Sequence, residues 1–360
     1  MRGTGFRVRA AAALLAVLVG LGVAGPRPAW GEPPQRAQRH LTVATYNLYL
    51  GADLTPLFTA TTPEELVQLA GTAYAHVVQT DFPSRAEAIA GLLAADPPDV
   101  AGFQEVALWE TGPIAGPFTP SYDFLELVLA ALARHGLDYR AVAANDNFSG
   151  ASPISATTAA RFTDRDVIIA RSDLPAGLLQ VSRPESHNFT ARLVVPTAIP
   201  GLSFTVLRGW SAVDVELRGK SVRFADTHLE AFSTQVRNLQ ARELAAALAP
   251  GGPPVVLVGD LNSRPDDAAG AFGTFASTGY ADAWAVVHGP DGGFTSGQSE
   301  LLDNVPSKLD HRIDYVLYQP RGVEAVAADV TGDELADRTP SGLWPSDHAG
   351  VVATLHLARP

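Results

Sequence analysis

Acidic and amide side chains follow the apolar run at residues 255–258, which predicts a buried strand. Asp260 and Asn262 come two positions apart, so in extended backbone they point to the same side. A carboxylate can hold a proton or a cation, and a carboxamide offers both an acceptor and donors. This pair suits the positioning of a water molecule and the binding of an oxyanion. A polar strand end closed by an Asx turn would have the same pattern.

Groups of the same kind occur at or near the ends of other predicted strands. They are Asn47, Glu105, His228, Asp314, Asp347 and His348. Open α/β sheets bind their ligands beyond strand ends, so this distribution predicts one site built from several strands. For two of them a simpler interpretation exists, because Asn47 could cap a turn and His228 could be structural.

Six short motifs, in this order, resemble the endonuclease/exonuclease/phosphatase superfamily of DNase I-like, metal-dependent phosphoesterases, here as a secreted bacterial-type member. They are Tyr46-Asn47-Leu48, Gln104-Glu105, Thr227-His228-Leu229, Gly259-Asp260-Leu261-Asn262, Ile313-Asp314-Tyr315 and Ser346-Asp347-His348. Each motif is weak alone, whereas the whole set is specific. The resemblance spans Thr42 to about Leu355. It implies an α/β fold, a four-layer sandwich with two mixed β-sheets face to face and helices outside.

The resemblance also implies in-line attack of water on a phosphate ester, where catalysis rests on positioning and charge stabilisation. Glu105 and Asn47 would help to hold Mg²⁺, with Mn²⁺ as an alternative, because these cations prefer oxygen ligands. Asp347 would support the metal region or orient the neighbouring histidine. His348 would be the general base, and Asp314 would fix its tautomer through a direct contact.

The remaining motif residues would act on the reacting oxygens. Asp260 and Asn262 would orient the nucleophile or the leaving oxygen, and His228 would donate to the developing oxyanion. Two weaker candidates are Arg165, either a phosphate clamp or a salt bridge at the rim, and Asp53, either a further carboxylate or a solvated loop residue. The division of acid and base roles stays open.

Several activities fit this chemistry. A secreted phosphodiesterase is favoured. The alternatives are sphingomyelinase- or phospholipase C-like cleavage of lipid head groups, a nuclease, a small phosphoesterase, and a non-catalytic binding module on the same scaffold. The net charge of −12 disfavours binding to nucleic acid. It does not exclude a nuclease, because a bound cation changes the local field.

Residues 1–31 have the pattern of a secretory signal peptide. Arg2, Arg7 and Arg9 precede an apolar run at residues 10–24 that is too short to span a bilayer. A membrane anchor is the alternative. We therefore expect export of a chain with no transmembrane segment and a net charge of −16, from 22 basic and 38 acidic side chains.

A flexible linker at residues 32–40 and one catalytic domain at residues 41–358, acting as a monomer, are expected next. Cysteine is absent, so the domain must be held by its hydrophobic core. Capping boxes predict helices that begin after Thr62 and after Ser84, and a further helix is expected at residues 266–275. Residues 107–120 and 144–163 are predicted to be long loops, either shaping substrate choice or passive.

Overall fold

The computed structural model describes residues 39–249 and 251–358. The predicted signal peptide and most of the predicted linker lie outside the described residues. The described residues belong to one compact unit. The linker prediction is wrong at its last residue, because His40 already pairs with His356 and begins the first strand.

The described chain contains six helices and sixteen strands. The helices are α1 (Pro63–Gln79), α2 (Phe82–Ala95), α3 (Phe124–Arg134), α4 (Thr234–Ala247), α5 (Ala271–Ser277) and α6 (Ala283–His288). Short 3-10 helices lie at Thr55–Thr59 and Leu335–Asp337. The strands are β1 (His40–Asn47), β2 (Val100–Gln104), β3 (Leu108–Pro113), β4 (Thr119–Asp123), β5 (Tyr139–Pro153), β6 (Thr158–Arg171), β7 (Leu179–Asn188), β8 (Leu193–Pro196), β9 (Ser203–Val206), β10 (Gly209–Leu217), β11 (Lys220–His228), β12 (Val255–Asp260), β13 (Ala281–Asp282), β14 (Asp314–Tyr318), β15 (Val323–Thr331) and β16 (Gly350–Leu357).

These strands form two large mixed sheets and one small hairpin. The first sheet has eight strands in the order β15-β16-β1-β2-β6-β3-β4, with β5 also paired to β6. The second has six strands in the order β13-β14-β12-β11-β10-β7, and β8 pairs with β9 separately. Each large sheet contains one parallel pair, β1 with β2 and β11 with β12. Both sheets are therefore mixed, as the resemblance implies.

Three apolar cores separate the layers. Residues such as Val43, Ile168, Phe224 and Val316 from both sheets form the core between them. Helices α1 to α3 cover the outer face of the first sheet, and α4 and α5 cover the outer face of the second. The predicted four-layer α/β sandwich is thereby confirmed.

The two sheets approach each other closely at Gly102 on β2. A Cβ atom there would lie 2.4 Å from Asp226 Oδ1 on β11, so only glycine fits. Gln104, two residues further on, donates from Nε2 to the same Oδ1 at 2.6 Å. These contacts between β2 and β11 therefore fix the strand ends of the two sheets relative to each other.

Both predicted loops are wrong, because they form antiparallel strands. Residues 107–120 contain β3 and the start of β4, and residues 144–163 contain most of β5 and the start of β6. The strands are rich in Gly, Ala, Ser and Thr, and much of β5 is exposed, so their alternation of apolar side chains is weak. Pairing with β6 defines β3 and β5 as strands instead.

The sequence predicts correctly that these helices exist, but it predicts their first residues less accurately. Thr62 caps α1 by accepting from Glu65 N at 3.1 Å, but the Glu65 carboxylate accepts from Thr61. Helix α2 begins at Phe82 rather than after Ser84. Helix α5 begins at Ala271, since residues 266–270 form turns. In the described part of the chain, no helix combines the length and apolarity needed to cross a membrane.

Candidate active site

Strand ends from both sheets meet at one place. The carboxyl ends of the two parallel pairs carry Asn47 and Glu105 in the first sheet, and His228 and Asp260 in the second. The antiparallel strand β14 begins at Asp314, directly opposite Asp260. His348 lies just before β16, the neighbour of β1. The topology thus gathers the polar groups of six separate strands.

His348 and Asp314 form a buried hydrogen-bonded pair. His348 Nδ1 lies 2.8 Å from Asp314 Oδ2, and the Asp314 backbone N–H donates to Thr295 Oγ1 at 3.2 Å. Burial lowers the pKa of His348, but the charges of Asp314 and Asp347 outweigh it and hold this pKa well above its usual value. With Nδ1 engaged, Nε2 faces Ser296 Oγ at 3.4 Å and Asp260 Oδ2 at 3.9 Å.

The carboxylate of Asp260 lies at the centre of the site. Its Oδ1 accepts from the backbone N–H of Asn262 at 2.8 Å, so the Asx turn is present. Its Oδ2 lies 3.2 Å from Asn47 Nδ2 and 3.5 Å from His228 Nε2. Burial and the charge of Asp314 raise the pKa of Asp260 to about 7. Asp260 is thus both a turn former and a buried, proton-accepting group.

His228 is buried and held by Arg208. Arg208 Nη1 lies 2.9 Å from His228 Nδ1. A guanidinium only donates, so Nδ1 accepts and the ring hydrogen sits on Nε2, which faces Asp260. Burial, followed by the charge of Arg208, holds the pKa of His228 well below its usual value. His228 is therefore a neutral donor toward the site.

Asn262 flanks the same ring from the loop after β12. Its backbone has φ of 48°, and its Nδ2 donates to the Leu229 carbonyl at 3.0 Å and lies 3.2 Å from His228 Nε2. Asn262 therefore joins β11 to β12 at the point where both strands end.

Buried acids lie behind Arg208. Asp164 Oδ2 is 3.5 Å from Arg208 Nη1, and Asp166 Oδ1 is 4.0 Å from His228 Nδ1. Asn147 Nδ2 donates to Asp166 Oδ2 at 2.6 Å. Burial is the main reason why the pKa of Asp164 is raised to about 6 and that of Asp166 lies well above its usual range. Sequence reasoning missed Arg208 and this acid pair as parts of the site.

Asn47 and Glu105 are bonded to each other. Asn47 Nδ2 donates to Glu105 Oε1 at 3.1 Å as well as to Asp260, and Asn47 Oδ1 accepts from Tyr49 N at 3.0 Å. Glu105 Oε2 accepts from the backbone N–H of Leu50 at 2.9 Å. The amide of Asn47 is therefore engaged on both sides and orients two carboxylates.

Asp347 reaches the same cavity from the segment before β16. Its Oδ1 lies 3.3 Å from Ser346 Oγ, and that hydroxyl donates to the Asn47 carbonyl at 2.7 Å. Burial raises the pKa of Asp347 to about 6, and the charge of Glu105 adds to the shift while His348 opposes it. Two carboxylates thus share one partly buried space.

Arg85 on α2 holds the two segments that carry these groups. This fully buried side chain donates to the carbonyl groups of Leu48 at 2.7 Å, Tyr49 at 3.0 Å and Pro345 at 3.0 Å. It thereby joins the end of β1 to the segment before His348. Nothing in the sequence distinguishes Arg85 from an ordinary helical arginine.

Two groupings could bind a cation. Ligand atoms of Asp260, Asp314 and His348 lie within 4.8 Å of one another. However, His348 Nδ1 and Asp314 Oδ2 in this group are already bonded to each other. Glu105 and Asp347 supply carboxylate oxygens to the same cavity, which is the donor type that Mg²⁺ prefers. The second grouping therefore fits a hard divalent cation better.

The weaker candidates differ in position. Arg165 donates to the Val106 carbonyl at 2.9 Å and lies 2.6 Å from Asp123 Oδ1, which favours the salt-bridge interpretation. Asp53 is exposed, accepts from Thr55 N at 2.8 Å and lines the cavity. Only Asp53 therefore stays close to the other predicted groups.

The site opens into a cavity of about 770 Å³. Its polar end contains Glu105, His228, Asp260, Asp347 and His348. Its other walls are largely apolar and come from the segment after β1, from β5 and β6, and from the β8–β9 hairpin. The cavity is large enough for a substrate with one sizeable substituent next to the reacting group.

Comparisons with known proteins agree with this arrangement. Solved structures with the same fold include a protein of the endonuclease/exonuclease/phosphatase family from Leptotrichia buccalis C-1013-b, with a TM-score of 0.55, 13% identity, and 88% of this chain and 99% of that chain covered. A second is the family protein from Beutenbergia cavernae DSM 12333, with a TM-score of 0.52, 22% identity and coverage of 89% and 72%. A third is the mannosyl-6-phosphatase from Bacteroides thetaiotaomicron VPI-5482, with a TM-score of 0.52, 18% identity and coverage of 88% and 99%.

A search of curated proteins gave no match. The model of the Endonuclease/Exonuclease/phosphatase family matches residues 44–348, which is most of the chain and includes every motif described above. The chain therefore belongs to the endonuclease/exonuclease/phosphatase family.

Proposed function

We propose that the protein is a Mg²⁺-dependent phosphodiesterase that cleaves a phosphate ester by in-line attack of water. The family is one of phosphoesterases, and the finer activity rests on one observation. Asp260, His228 and His348 face a single cavity together with Glu105 and Asp347, and Asp314 is bonded to His348. This set offers a proton acceptor, two imidazole donors and a cation site around one phosphoryl group.

Glu105 and Asp347 would hold the cation, and Asn47 would orient Glu105. When bound, Mg²⁺ supplies positive charge that stabilises the phosphoryl oxygens of the transition state. The two carboxylates share a partly buried space, and the charge of Glu105 raises the pKa of Asp347. A cation between them would remove that repulsion.

The geometry favours a division of proton roles that the sequence left open. Oδ2 of Asp260 lies between two ring nitrogens, His228 Nε2 at 3.5 Å and His348 Nε2 at 3.9 Å. A pKa of about 7 suits Asp260 to take the proton of the attacking water near neutral pH. His348, with a raised pKa, would donate to the phosphoryl or leaving oxygen, and Asp314 would hold its protonated ring. His228 would donate through Nε2 to the oxyanion.

Purified protein tested with Mg²⁺ on bis-p-nitrophenyl phosphate and on p-nitrophenyl phosphate checks this proposal. We expect faster hydrolysis of the diester, and no hydrolysis in EDTA. Hydrolysis of the monoester alone would contradict the diesterase assignment, and inactivity on both, with Mg²⁺ or Mn²⁺, would count against the whole proposal.

We propose further that the chain is exported after cleavage near Gly31 and acts as a monomer. The basic, apolar and small-residue pattern of residues 1–31 supports export. N-terminal sequencing of exported protein should begin near Glu32, and light scattering should give the mass of one chain; an intact Met1 or a stable dimer would refute the respective statement.

A further inference from the structure

Several aromatic rings line the cavity that also contains the polar groups. Trp109 and Phe162 lie stacked with centroids 4.5 Å apart and are almost completely buried. Phe148 lies 6.0 Å from Phe162. All three line the same cavity as His228 and Asp260, so the apolar wall is continuous with the proposed site of hydrolysis.

Three further rings stand at the rim and come from three separate segments. Phe58 of the 3-10 helix Thr55–Thr59 lies 5.1 Å from Phe204 on β9 and 6.0 Å from Phe232 after β11. Phe232 is 56% exposed. Rings gathered beside a polar cleft and left accessible to solvent are typical of a ligand site.

The charged side chains that line the cavity indicate which kind of ligand it binds. Arg208 is the sole arginine or lysine among the described residues that line it, and it is already bonded to His228. Asp53 and Glu300, both exposed, add negative charge to the lining. A polynucleotide needs several cations for its successive phosphates. The cavity therefore suits one phosphate attached to an apolar group.

We propose that the aromatic wall binds the alkyl or acyl chain of a lipid phosphodiester, with the phosphate of the same molecule at His228, Asp260 and His348. This inference rests on the proposed function, since it assigns the substrate class of that same site. A chain on such a wall loses contact with water, and each fully buried CH₂ strengthens binding about threefold to fourfold.

A series of p-nitrophenyl alkyl phosphates with methyl, hexyl and dodecyl groups tests the inference with Mg²⁺ present. The leaving group is the same throughout, so chain length is the single variable, and all substrates are kept below their micellar concentrations. We expect kcat/KM to rise by a factor on the order of a hundred from methyl to hexyl, below the full-burial limit because the wall is partly open. The value for dodecyl should be at least as high.

Phe58→Ala and Phe232→Ala should each reduce the ratio of the hexyl to the methyl kcat/KM about tenfold. Leu335→Ala is the control, because Leu335 is 57% exposed and is not a residue of the cavity lining. It should keep the wild-type ratio. Circular dichroism and melting temperature establish that each variant is folded.

Dihexanoyl phosphatidylcholine as monomers and sphingomyelin in vesicles then distinguish a dissolved lipid from a bilayer as the source of the chain. Hydrolysis of either one supports the inference and identifies the source. Equal kcat/KM across the alkyl series overturns it while the proposed phosphodiesterase stands. Inactivity on every diester, including the methyl compound, refutes the proposed function itself.

Discussion

His348 Nδ1 lies 2.8 Å from Asp314 Oδ2, although the two residues are 34 positions apart in the chain. Asp314 begins β14 in the second sheet, and His348 precedes β16 in the first. The hydrogen bond therefore crosses from one sheet to the other. It leaves His348 Nε2 as the nitrogen that faces Asp260.

Loss of either member of this pair should lower kcat by on the order of a hundredfold or more, because the ring then loses its proton or its orientation. His348→Ala and Asp314→Asn should have similar effects, and the double variant should lose little beyond the worse single one. Steady-state kinetics of the three variants check this. Independent losses that multiply in the double variant would contradict a joint role.

Asp260 should set the pH dependence of the reaction. An acid that must be ionised to accept a proton is active above its pKa, so kcat/KM should rise with pH and then level off. The pKa of Asp260 is raised to about 7 in the free protein, and the charge of Mg²⁺ lowers it, so the midpoint is expected at or below pH 7. A pH–rate profile from 5 to 9 measures it, and a rate that falls throughout this range would oppose the role.

Glu105→Gln should raise the Mg²⁺ concentration needed for half-maximal activity by a factor on the order of ten or more, because it removes a charge but keeps the size of the side chain. The acceptor for Leu50 N can be retained, so the fold should persist. Titration of EDTA-treated protein with Mg²⁺ gives the measurement. Glu64→Gln, at an exposed position of α1, is the matched control, and equal titrations for the two variants would disprove a metal role for Glu105.

Arg208→Met should lower kcat on the order of a hundredfold, since His228 loses the donor that fixes its tautomer and an oxyanion donor is worth about that much. The buried acids Asp164 and Asp166 also lose their nearby positive charge, so some stability should be lost. Arg171→Met is the control, because Arg171 lies at the end of β6 and pairs with Asp173 outside the site. If Arg208→Met loses stability but keeps kcat, the arginine is purely structural.

Arg85→Met should destabilise the protein by on the order of 3 kcal/mol and reduce activity, because several buried carbonyl groups lose their donor. Among them are those of Leu48 and Pro345, on the two segments that Arg85 joins. Denaturant unfolding measures the first effect and kcat the second. Arg134→Met, on the exposed face of α3, should change neither by much, and a similar result for Arg85→Met would exclude the bridging role.

The motif residues could be predicted from the sequence because each follows or interrupts an apolar run at a strand end. This pattern is visible without knowing which strands pair. Asn47 and Glu105 illustrate this, since the parallel register of β1 and β2 alone brings them together. Arg85 and Arg208 lack such a signal. Their partners are backbone carbonyl groups and a ring 20 positions away, so only the folded chain reveals them. The hairpin of β5 and β6 was missed because pairing, rather than hydrophobic alternation, defines it.

Strand β16 lies between β15 and β1, so the last strand of the described chain completes the sheet next to its first strand. A chain still being synthesised therefore leaves β1 without this partner until residues 350–357 have been added. His348 arrives at the same moment, immediately before β16. Chains halted before residue 346 should be inactive in a bis-p-nitrophenyl phosphate assay. Hydrolysis should then begin only after residues 346–357 have been added, so every shorter nascent form of this protein should be inactive.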